Sequence, residues 1–410
     1  MPSLKTALFI SIDGITDQLG QSQILPYLAG LSDSGFRVEI ISCEKKQNFE
    51  KNRQTVEAVM QKHHIHWSYC FYDNHTPLLS QFTNYRNLRN LAESRILFHK
   101  GNVFLHCRSY LPGLIGLRMN KKHGTPFVFD MRGFWADERV DGNIWNLKSP
   151  VQNYLYRFFK RREKEMITHA AYVVTLTETA REEIQSWQLT GLPPMEVIPC
   201  CADLEHFHIN RDTEKEATRA SFGISPQTRV LGYLGSLGTW YMMDEMLDFF
   251  SEFRKTYPDS KFFFVTNDAP ETIFSAASQK GIPENTIIVR EARRGEVPAF
   301  ISCFDIGIFF IKPLYSKKGS SPTKLAELLA CGIPFITNSG IGDMDRFVQK
   351  TGSGLVIKNF SKESYHEISD MAETLLHKPK SDYRTIAELH FSLTYGIQKY
   401  QKIYSYLSVL

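Results

Sequence analysis

The 410-residue sequence lacks the patterns that mark several large classes of protein. Its seven cysteines are an odd number and include no C-x-x-C pair, which argues against a disulfide framework or a zinc template. No apolar run approaches the roughly 18 residues that a membrane-spanning helix needs. The thirteen histidines form no cluster at metal-ligand spacing, so no metal site is predicted. These features fit a reduced, cytoplasmic compartment.

The net charge is small, but it is unevenly distributed. A formal charge of +4 does not by itself indicate a nucleic-acid-binding protein, and no nucleic-acid-binding motif accompanies it. Residues 86–165 hold 16 Lys and Arg against 7 Asp and Glu, an excess of 9 that leaves −5 for the rest of the chain. This part of the chain is therefore predicted to face an anionic surface or an anionic substrate.

Short apolar runs alternate with helical patterns along the whole chain, which has a length suited to two domains. The predicted strands include 8–12, 38–42, 126–130, 171–175, 261–265, 286–289, 305–311, 333–337 and 352–357. This alternation predicts an α/β protein with two doubly wound, Rossmann-like domains. The expected divisions are a first domain at 1–205, a second domain at 206–380 and a helical tail at 381–410.

The stretch 319–343 carries the most complete local pattern. Ser321 is a suitable N-cap, Pro322 suits the first helical position, and Gly332 supplies a residue that ends helices. The N–H groups and the dipole at such a helix start can bind a phosphate, and Glu327 can accept hydrogen bonds from ribose hydroxyls. The alternative is a loop and a short helix packed on a sheet, with Glu327 in solvent.

Two other loops contain glycine directly after a predicted strand. Gly235 and Gly238, with Ser236 between them, follow the first strand of the second half and resemble a phosphate-binding loop. Gly14 and Gly20 follow the first strand of the chain, at the edge where open parallel sheets bind ligands. For these two, ordinary turn glycines are the alternative. The chain has no G-x-G-x-x-G, so the dinucleotide fingerprint is missing.

A cluster of charged and aromatic residues follows the predicted strand at 126–130. Its members are Asp130, Arg132, Gly133, Trp135, Asp137 and Glu138. A cluster of this kind at the carboxyl end of a strand is more often a functional site than a linker. Because an arginine stays protonated, Arg132 is predicted to neutralise phosphate or to orient an acceptor. One of the three carboxylates would have to supply any general base.

Aromatic and basic residues interleave in a predicted helix at 150–169. Residues 150–165 of such a helix can lie against an anionic membrane. The alternative is that the aromatic side chains point into the core and the basic side chains form a solvated face.

The stretch at 319–343 resembles the nucleotide-sugar signature of the retaining GT-B glycosyltransferases of family four, which often read P-x-K-x-x-E-x-x-A-x-G-x-P. The matching positions here are Pro322, Lys324, Glu327, Ala330, Gly332 and Pro334. The resemblance implies a GT-B fold, in which two Rossmann-like domains face a cleft and a C-terminal helix crosses back to the first domain. It also implies hexosyl-type transfer from a nucleotide sugar with retention of configuration, with no essential metal and no other cofactor.

The resemblance also assigns roles to the candidate residues. The donor is expected to contact Gly14, Gly20, Gly235, Ser236, Gly238, Ser320, Ser321, Thr323, Lys324 and Glu327. The catalytic candidates are Asp130, Arg132, Asp137 and Glu138. The sequence departs from the family in three places: relatives often carry an Arg and a Lys that clamp the diphosphate, a His where Arg132 stands, and a Glu where Gly319 stands. We hypothesise that backbone N–H groups, Lys324 or Arg132 compensate for the missing clamp.

The predicted function is sugar transfer to a glycan or a lipid-linked acceptor, in the synthesis of surface polysaccharide or glycoconjugate at the inner face of the membrane. No nucleic-acid partner is expected. One alternative is a nucleotide-sugar epimerase of the same fold, which needs no acceptor. Another is a non-catalytic nucleotide-binding scaffold, which the missing clamp and the missing first Glu favour. Acceptor-dependent release of nucleoside diphosphate distinguishes the transferase from both.

Overall fold

The computed structural model describes residues 5–73 and 77–410 and divides into two compact units. The first unit comprises Met1–Pro199 with Leu393–Leu410, and the second comprises Cys200–Ser392. The sequence placed these divisions after 205 and after 380 instead. They differ because the backbone N–H of Ala202 bonds to the carbonyl of Phe391 at 2.8 Å, which ties both connecting segments to the second unit.

The first unit contains a seven-stranded parallel sheet in the order β3-β2-β1-β4-β5-β6-β7. Its strands are β1 (Thr6–Ser11), β2 (Arg37–Glu44), β3 (His66–Phe71), β4 (Val103–Arg108), β5 (Phe127–Asp130), β6 (Tyr172–Thr175) and β7 (Met195–Val197). Its helices before the second unit are α1 (Gln18–Gln23), α2 (Leu25–Asp33), α3 (Lys46–Lys62), α4 (Pro77–Phe98), α5 (Tyr110–His123), α6 (Trp135–Asp141), α7 (Pro150–His169) and α8 (Glu178–Ser186). Strands β1 and β4 are buried along their whole length, as expected where helices cover a parallel sheet.

The second unit contains a six-stranded parallel sheet in the order β10-β9-β8-β11-β12-β13. Its strands are β8 (Arg229–Leu234), β9 (Ser260–Val265), β10 (Ile287–Arg290), β11 (Ile306–Phe309), β12 (Phe335–Asn338) and β13 (Gly354–Ile357). Its helices are α9 (Asp212–Ser221), α10 (Met243–Thr256), α11 (Pro270–Gln279), α12 (Val297–Ser302), α13 (Thr323–Ala330), α14 (Met344–Thr351), α15 (Lys362–Leu376) and α16 (Lys380–Phe391). Both units are doubly wound, which confirms the predicted fold class.

The last helix, α17 (Leu393–Ser408), returns to the first unit, as the sequence predicted for the end of the chain. The hydroxyl of Tyr400 donates to the carboxylate of Asp130 at 3.0 Å. The hydroxyl of Tyr404 lies 2.9 Å from Nδ1 of His106. The strand order reverses at β1 and β4, which is where doubly wound sheets bind ligands. Helix α17 therefore packs close to the carboxyl edge of this sheet.

Candidate functional site

The loop after β8 packs against helix α13 in the second unit. Gly235 has a φ of +95°, a conformation that favours glycine. A Cβ atom at this position would lie 3.8 Å from Nζ of Lys324, so the loop backbone runs directly beside the ammonium group. Gly238 also has a positive φ, of +44°. The glycine loop and the motif lysine, which lie far apart in the sequence, therefore form one site.

Lys324 is a buried cation, with only 6% of its surface exposed. Its Nζ lies 4.0 Å from the centroid of the Tyr233 ring and 3.5 Å from that of Tyr241. Within the described part of the chain it donates no hydrogen bond. Burial lowers the pKa of Lys324 well below its usual range, and the charges of Glu327 and Asp268 oppose this shift. An ammonium group held by aromatic faces, with its donors unused, is suited to binding an anion.

Glu327 lies one turn further along α13 and is partly buried. Burial raises its pKa to about 7, while the charges of Arg294 and Lys324 oppose the increase. The carboxylate therefore changes charge near neutral pH, which is unusual for a glutamate. Arg294 follows β10 in a short 3-10 helix and has no counterpart among the residues predicted from sequence.

The glycine loop is held by Asp268, which sequence reasoning missed. Its carboxylate accepts from the backbone N–H of Leu237 at 2.6 Å, from Oγ of Ser236 at 3.2 Å and from Oγ1 of Thr266 at 2.7 Å. Asp268 follows β9, the neighbour of β8, so the only available signal was a carboxylate at the carboxyl end of an adjacent strand. The Ser236 hydroxyl thus has an internal partner.

A second lysine contacts the same loop. Nζ of Lys317 lies 3.6 Å from the centroid of the Trp240 ring, and the Lys317 side chain is buried. Lys317 lies in the 3-10 helix Tyr315–Gly319 and Lys324 lies at the start of α13, so lysines from both sides of the connection at 320–322 reach the segment 233–241. Two lysine side chains therefore lie against the segment in which the family often has an Arg and a Lys.

The predicted helix cap at Ser321 is wrong. Helix α13 begins at Thr323, its N-cap residue is Pro322, and no side chain caps it. The hydroxyl of Ser321 instead accepts a hydrogen bond from the backbone N–H of Cys200 at 3.1 Å. The backbone N–H of Ser320 donates to the carbonyl of Lys317 at 3.1 Å, and the side chain of Thr323 is partly buried.

In the first unit, Gly14 and Gly20 are buried where backbones approach closely. A Cβ at Gly14 would lie 2.8 Å from Oε2 of Glu44, and one at Gly20 would lie 2.2 Å from the carbonyl oxygen of Gly14. The Glu44 carboxylate accepts from the backbone N–H groups of Ile15 and Thr16, at 2.7 and 3.1 Å. These N–H groups, which a phosphate would otherwise use, already bind an internal anion.

Asp130 and Arg132 belong to a buried network at the end of β5. The Asp130 carboxylate lies 3.0 Å from the Tyr400 hydroxyl, 3.4 Å from Nε2 of His106 and 3.8 Å from Nη1 of Arg132. Nη1 of Arg108 lies 3.9 Å away. Burial raises the pKa of Asp130, but the charge of Arg132, the His106 hydrogen bond and the charge of Arg108 outweigh it, and the pKa falls to about 2. Asp130 is therefore a poor proton acceptor near neutral pH and is suited to orienting Arg132.

The two remaining carboxylate candidates lie on helix α6. The Asp137 carboxylate is buried and accepts from Nζ of Lys160 at 2.8 Å and from the Tyr156 hydroxyl at 2.9 Å, so it holds α6 against α7. Glu138 is partly buried. The structure thus places Asp130 and Arg132 side by side, whereas the Asp137 carboxylate is bound to Lys160 and Tyr156 and not to Asp130 or Arg132.

Backbone strain is concentrated at the ends of two neighbouring strands. Ser109, directly after β4, has φ 68° and ψ −173°, a region populated almost only by glycine. Arg132, two residues after β5, has φ 59°. Strain of this kind costs about 1–3 kcal/mol and clusters at functional sites. A cavity of about 350 Å³, here called the polar cavity, opens beside Ser109 and is also lined by Asp13 and Arg139. Asp13 begins the loop after the first strand, 13–22, which its position at the carboxyl edge of the sheet predicts as a binding loop.

Comparisons with known proteins agree with this geometry. Residues 24–206 match Glycosyltransferase Family 4, and residues 214–388 match Glycosyl transferases group 1. Sucrose-phosphate synthase from Thermosynechococcus elongatus is 12% identical, with a TM-score of 0.72 over 98% of this chain and 99% of the other. Anabaena Alr3699/HepE, solved in complex with UDP and glucose, is 14% identical, with a TM-score of 0.67 over 98% and 99%. WaaG, a glycosyltransferase involved in lipopolysaccharide biosynthesis, is 14% identical, with a TM-score of 0.67 over 97% and 99%.

Structural likeness at these identities shows the fold alone, whereas the two family matches together span most of the chain. The protein is a glycosyltransferase with the GT-B fold, and it belongs to the family-4-like, group 1 glycosyltransferases. The sequence matched no curated protein. In residues 5–73 and 77–410, no helix is both long and apolar enough to span a membrane. The same ranges contain no group of three or more His, Cys, Asp or Glu placed to hold a metal ion.

Proposed function

We propose that the protein transfers a sugar from a nucleotide sugar to a glycan or a lipid-linked acceptor, with retention of configuration. The observation that carries this proposal is the buried ammonium group of Lys324 beside the Gly235 backbone, with Glu327 one turn away. These three elements offer a cation, a close backbone approach and a carboxylate. The cation and the backbone can bind a diphosphate, and the carboxylate can accept hydrogen bonds from the ribose linked to it.

In the proposed reaction, the bond between the sugar's anomeric carbon and the diphosphate breaks, and a bond from an acceptor oxygen to the same carbon forms. The acceptor hydroxyl loses its proton, and the nucleoside diphosphate leaves with additional negative charge. Lys324 and Lys317 stabilise this charge, which is the main way a positioned cation lowers such a barrier. Glu327 positions the donor by accepting hydrogen bonds from the ribose.

Asp130 does not serve as the general base in this proposal, because its pKa of about 2 keeps it ionised and weakly basic. We assign Asp130 and Arg132 together to orienting an anionic group, and we assign the acceptor proton to the leaving phosphate. No metal ion takes part in this scheme. Transfer that is unaffected by EDTA would support that part of the proposal, and loss of transfer restored by a divalent cation would overturn it.

We place the protein at the inner face of the membrane, in surface polysaccharide or glycoconjugate synthesis. The supporting observation is the excess of 9 positive charges over residues 86–165. Such a region attracts an anionic leaflet. Sedimentation with vesicles of phosphatidylglycerol, at low and high salt, tests this placement.

The test of the donor site is calorimetric titration with UDP, GDP, ADP and dTDP. UDP is the first choice because Alr3699/HepE was solved with UDP bound. We expect one diphosphate to bind selectively to the wild type and to lose affinity in Glu327→Ala, but not in Glu284→Ala, which removes an exposed glutamate elsewhere in the second unit. If no nucleoside diphosphate binds, the transferase proposal fails. Retention is then tested by NMR of the anomeric configuration of the product.

A further inference from the structure

The first unit contains a second, larger cavity of about 1030 Å³, here called the apolar cavity. It lies among helices α4, α5, α6 and α7, and its walls include Leu114 on α5 and Leu155 and Phe158 on α7. Pockets for small molecules usually measure about 300–1,000 Å³ and are mostly apolar with a few polar groups. The apolar cavity is therefore large enough for a ligand of considerable apolar surface. It takes no part in the donor site.

Large apolar side chains around the mouth of this cavity are exposed. Phe82 is 64% exposed, Ile144 is 51% exposed and Val151 is 63% exposed, and all three line the cavity. Single exposed apolar residues are common, but a group of them around one concave apolar surface marks a binding site. The entrance of the apolar cavity is therefore open to solvent and lined by apolar side chains, so an apolar group can enter it.

The rim of the apolar cavity is positively charged. No carboxylate lies within 4 Å of the guanidinium groups of Arg118 and Arg139 in the described part of the chain. The other cations of the rim are paired: Lys121 and Arg162 contact Glu165, and Lys122 contacts Glu93. The guanidinium of Arg139 lies 4.7 Å from the centroid of the Trp135 ring, which holds it in place. An anionic group at this rim would find two guanidinium groups that no carboxylate contacts within 4 Å in the described part of the chain.

The apolar cavity adjoins the polar cavity at the carboxyl edge of the sheet. Arg139, Trp135, Leu111 and Gln81 line both cavities. A molecule with an apolar chain in the apolar cavity would therefore place its polar head group beside Arg139. Any group attached beyond that head group would enter the polar cavity, near Asp13. This continuity connects an apolar site to the edge where a parallel sheet binds its substrate.

We propose that the apolar cavity binds the hydrocarbon chain of a phosphate-bearing lipid, with its phosphate at Arg139, and that this lipid is the acceptor. The inference rests on the proposed function and narrows its acceptor to the lipid-linked class. A flat bilayer surface would leave the concave part of the cavity unfilled. A second copy of the chain in a two-fold contact would bring the Arg118 and Arg139 rim against the same charges. A single lipid chain with an anionic head group would fill the concave apolar cavity and would also contact the positively charged rim.

The test is calorimetric titration of the whole protein with farnesyl phosphate, farnesol and inorganic phosphate. We expect farnesyl phosphate to bind most tightly, because it alone supplies both the chain and the anion. Arg139→Gln should weaken its binding roughly tenfold or more, the loss expected when one charge-assisted hydrogen bond is removed. Arg157→Gln, which removes an exposed arginine of α7 outside the cavity lining, should leave the Kd unchanged.

A second pair of variants tests the chain itself. Val151→Asp places a charge at the cavity mouth, at a helix start where an acid does not disturb folding, and should weaken farnesyl phosphate binding while Leu389→Asp on α16 does not. Urea unfolding of each variant reports on folding, and nucleoside diphosphate binding reports on the proposed donor site in the second unit. Intact diphosphate binding with no binding of farnesyl phosphate overturns this inference and leaves the transferase proposal standing.

Three other results would also overturn it. Binding only to phosphatidylglycerol vesicles, with none to monomeric farnesyl phosphate, would mean that the surface contacts a bilayer instead. A concentration-dependent dimer that Val151→Asp dissociates would mean that a second copy covers the cavity. Binding of farnesyl phosphate that is unchanged in Arg139→Gln and in Val151→Asp would place the lipid elsewhere.

Discussion

The ammonium group of Lys324 lies 3.5 Å from the centroid of the Tyr241 ring, so a lysine of the 319–343 stretch is held by an aromatic residue of the glycine loop. Replacing Lys324 by methionine should weaken nucleoside diphosphate binding about tenfold or more, because one charge-assisted contact is lost. The same change should not lower the free energy of unfolding, because a buried cation without a hydrogen-bond partner is costly. Calorimetry and urea unfolding measure the two effects.

A matched control keeps the aromatic face and removes only a hydroxyl. Tyr241→Phe should leave diphosphate affinity within about twofold of the wild type, since the ring supplies the cation–π contact. If Lys324→Met binds diphosphate as well as the wild type, Lys324 is not the cation that receives the phosphate.

The affinity for a nucleotide sugar should rise with pH between 6 and 8. Burial raises the pKa of Glu327 to about 7, so the carboxylate that accepts from ribose hydroxyls forms across this window. UDP-glucose is a suitable probe because its diester phosphates do not titrate there. We expect an increase of up to about tenfold in the wild type and none in Glu327→Gln. An equal increase in both would assign the pH dependence to another group.

The raised pKa of Glu327 also predicts that the free energy of unfolding depends on pH. Because the folded-state pKa of Glu327 is raised, the folded protein binds more protons than the unfolded chain, and this contribution to stability is lost as pH rises through about 7. Glu327→Gln should therefore be more stable than the wild type at pH 8, by about 1–3 kcal/mol, with the difference shrinking toward pH 5. Urea unfolding without ligand at both pH values tests the sign.

The buried pairing of Asp130 with two arginines should contribute to stability above pH 4. The pKa of Asp130 is lowered to about 2, so its contribution is present when the unfolded carboxyl is ionised and is lost as pH falls from about 4 toward 2. Asp130→Asn should lower the free energy of unfolding at pH 7 by about 3–5 kcal/mol, because buried Arg108 and partly buried Arg132 lose the Asp130 carboxylate. Tyr400→Phe, which removes one hydrogen bond, should cost about 1–3 kcal/mol. Equal stability of Asp130→Asn and the wild type would contradict the network.

Glycine at position 109 should stabilise the protein. Ser109 holds a backbone conformation that glycine adopts freely, and relieving that strain outweighs the entropy that glycine adds to the unfolded chain. We expect Ser109→Gly to raise the free energy of unfolding by about 1 kcal/mol. Ser109→Ala, which keeps a Cβ, should give no gain. A gain in Ser109→Ala equal to that in Ser109→Gly would attribute the effect to the hydroxyl.

The stability of the loop after β1 should depend on the buried carboxylate of Glu44. Glu44→Gln retains the shape but turns an amide toward the backbone N–H groups of Ile15 and Thr16, so donors would face donors. We expect a loss of about 2–3 kcal/mol in the free energy of unfolding of the first unit. Glu50→Gln, on the exposed face of α3, should have no effect. Thermal unfolding of both variants distinguishes these outcomes.

Much of the proposed donor site could be predicted from sequence because its residues are close together in the chain. Lys324 and Glu327 lie on one short helix, and the spacing of the motif alone placed them correctly on it. The same local reasoning failed at Ser321, where a good capping residue has a different partner. Its hydroxyl accepts from Cys200, 121 residues away, and no pattern within the helix contains that information.

The residues that sequence reasoning missed are those whose role depends on a distant partner. Asp268 holds the loop at Ser236, Glu44 fills the turn at Ile15, and Tyr241 holds Lys324. No local sequence pattern distinguishes these three residues, because each acts on a partner that is distant in the sequence. The loop at Asp13 was predicted to bind a ligand, but the other walls of the polar cavity, such as Ser109 and Arg139, were not, because the ends of several strands and helices form them.

The sequence by itself determined two doubly wound sheets and the motif helix. These follow from the period of apolar residues and from glycine and proline at element ends, which act over a few residues. Only the tertiary structure decided that Asp130 is a buried, weakly basic carboxylate, that Lys324 is a desolvated cation, and that an apolar cavity lies beside the polar one. Burial and charge pairing set those properties, and both are sums over neighbours that chain order does not specify.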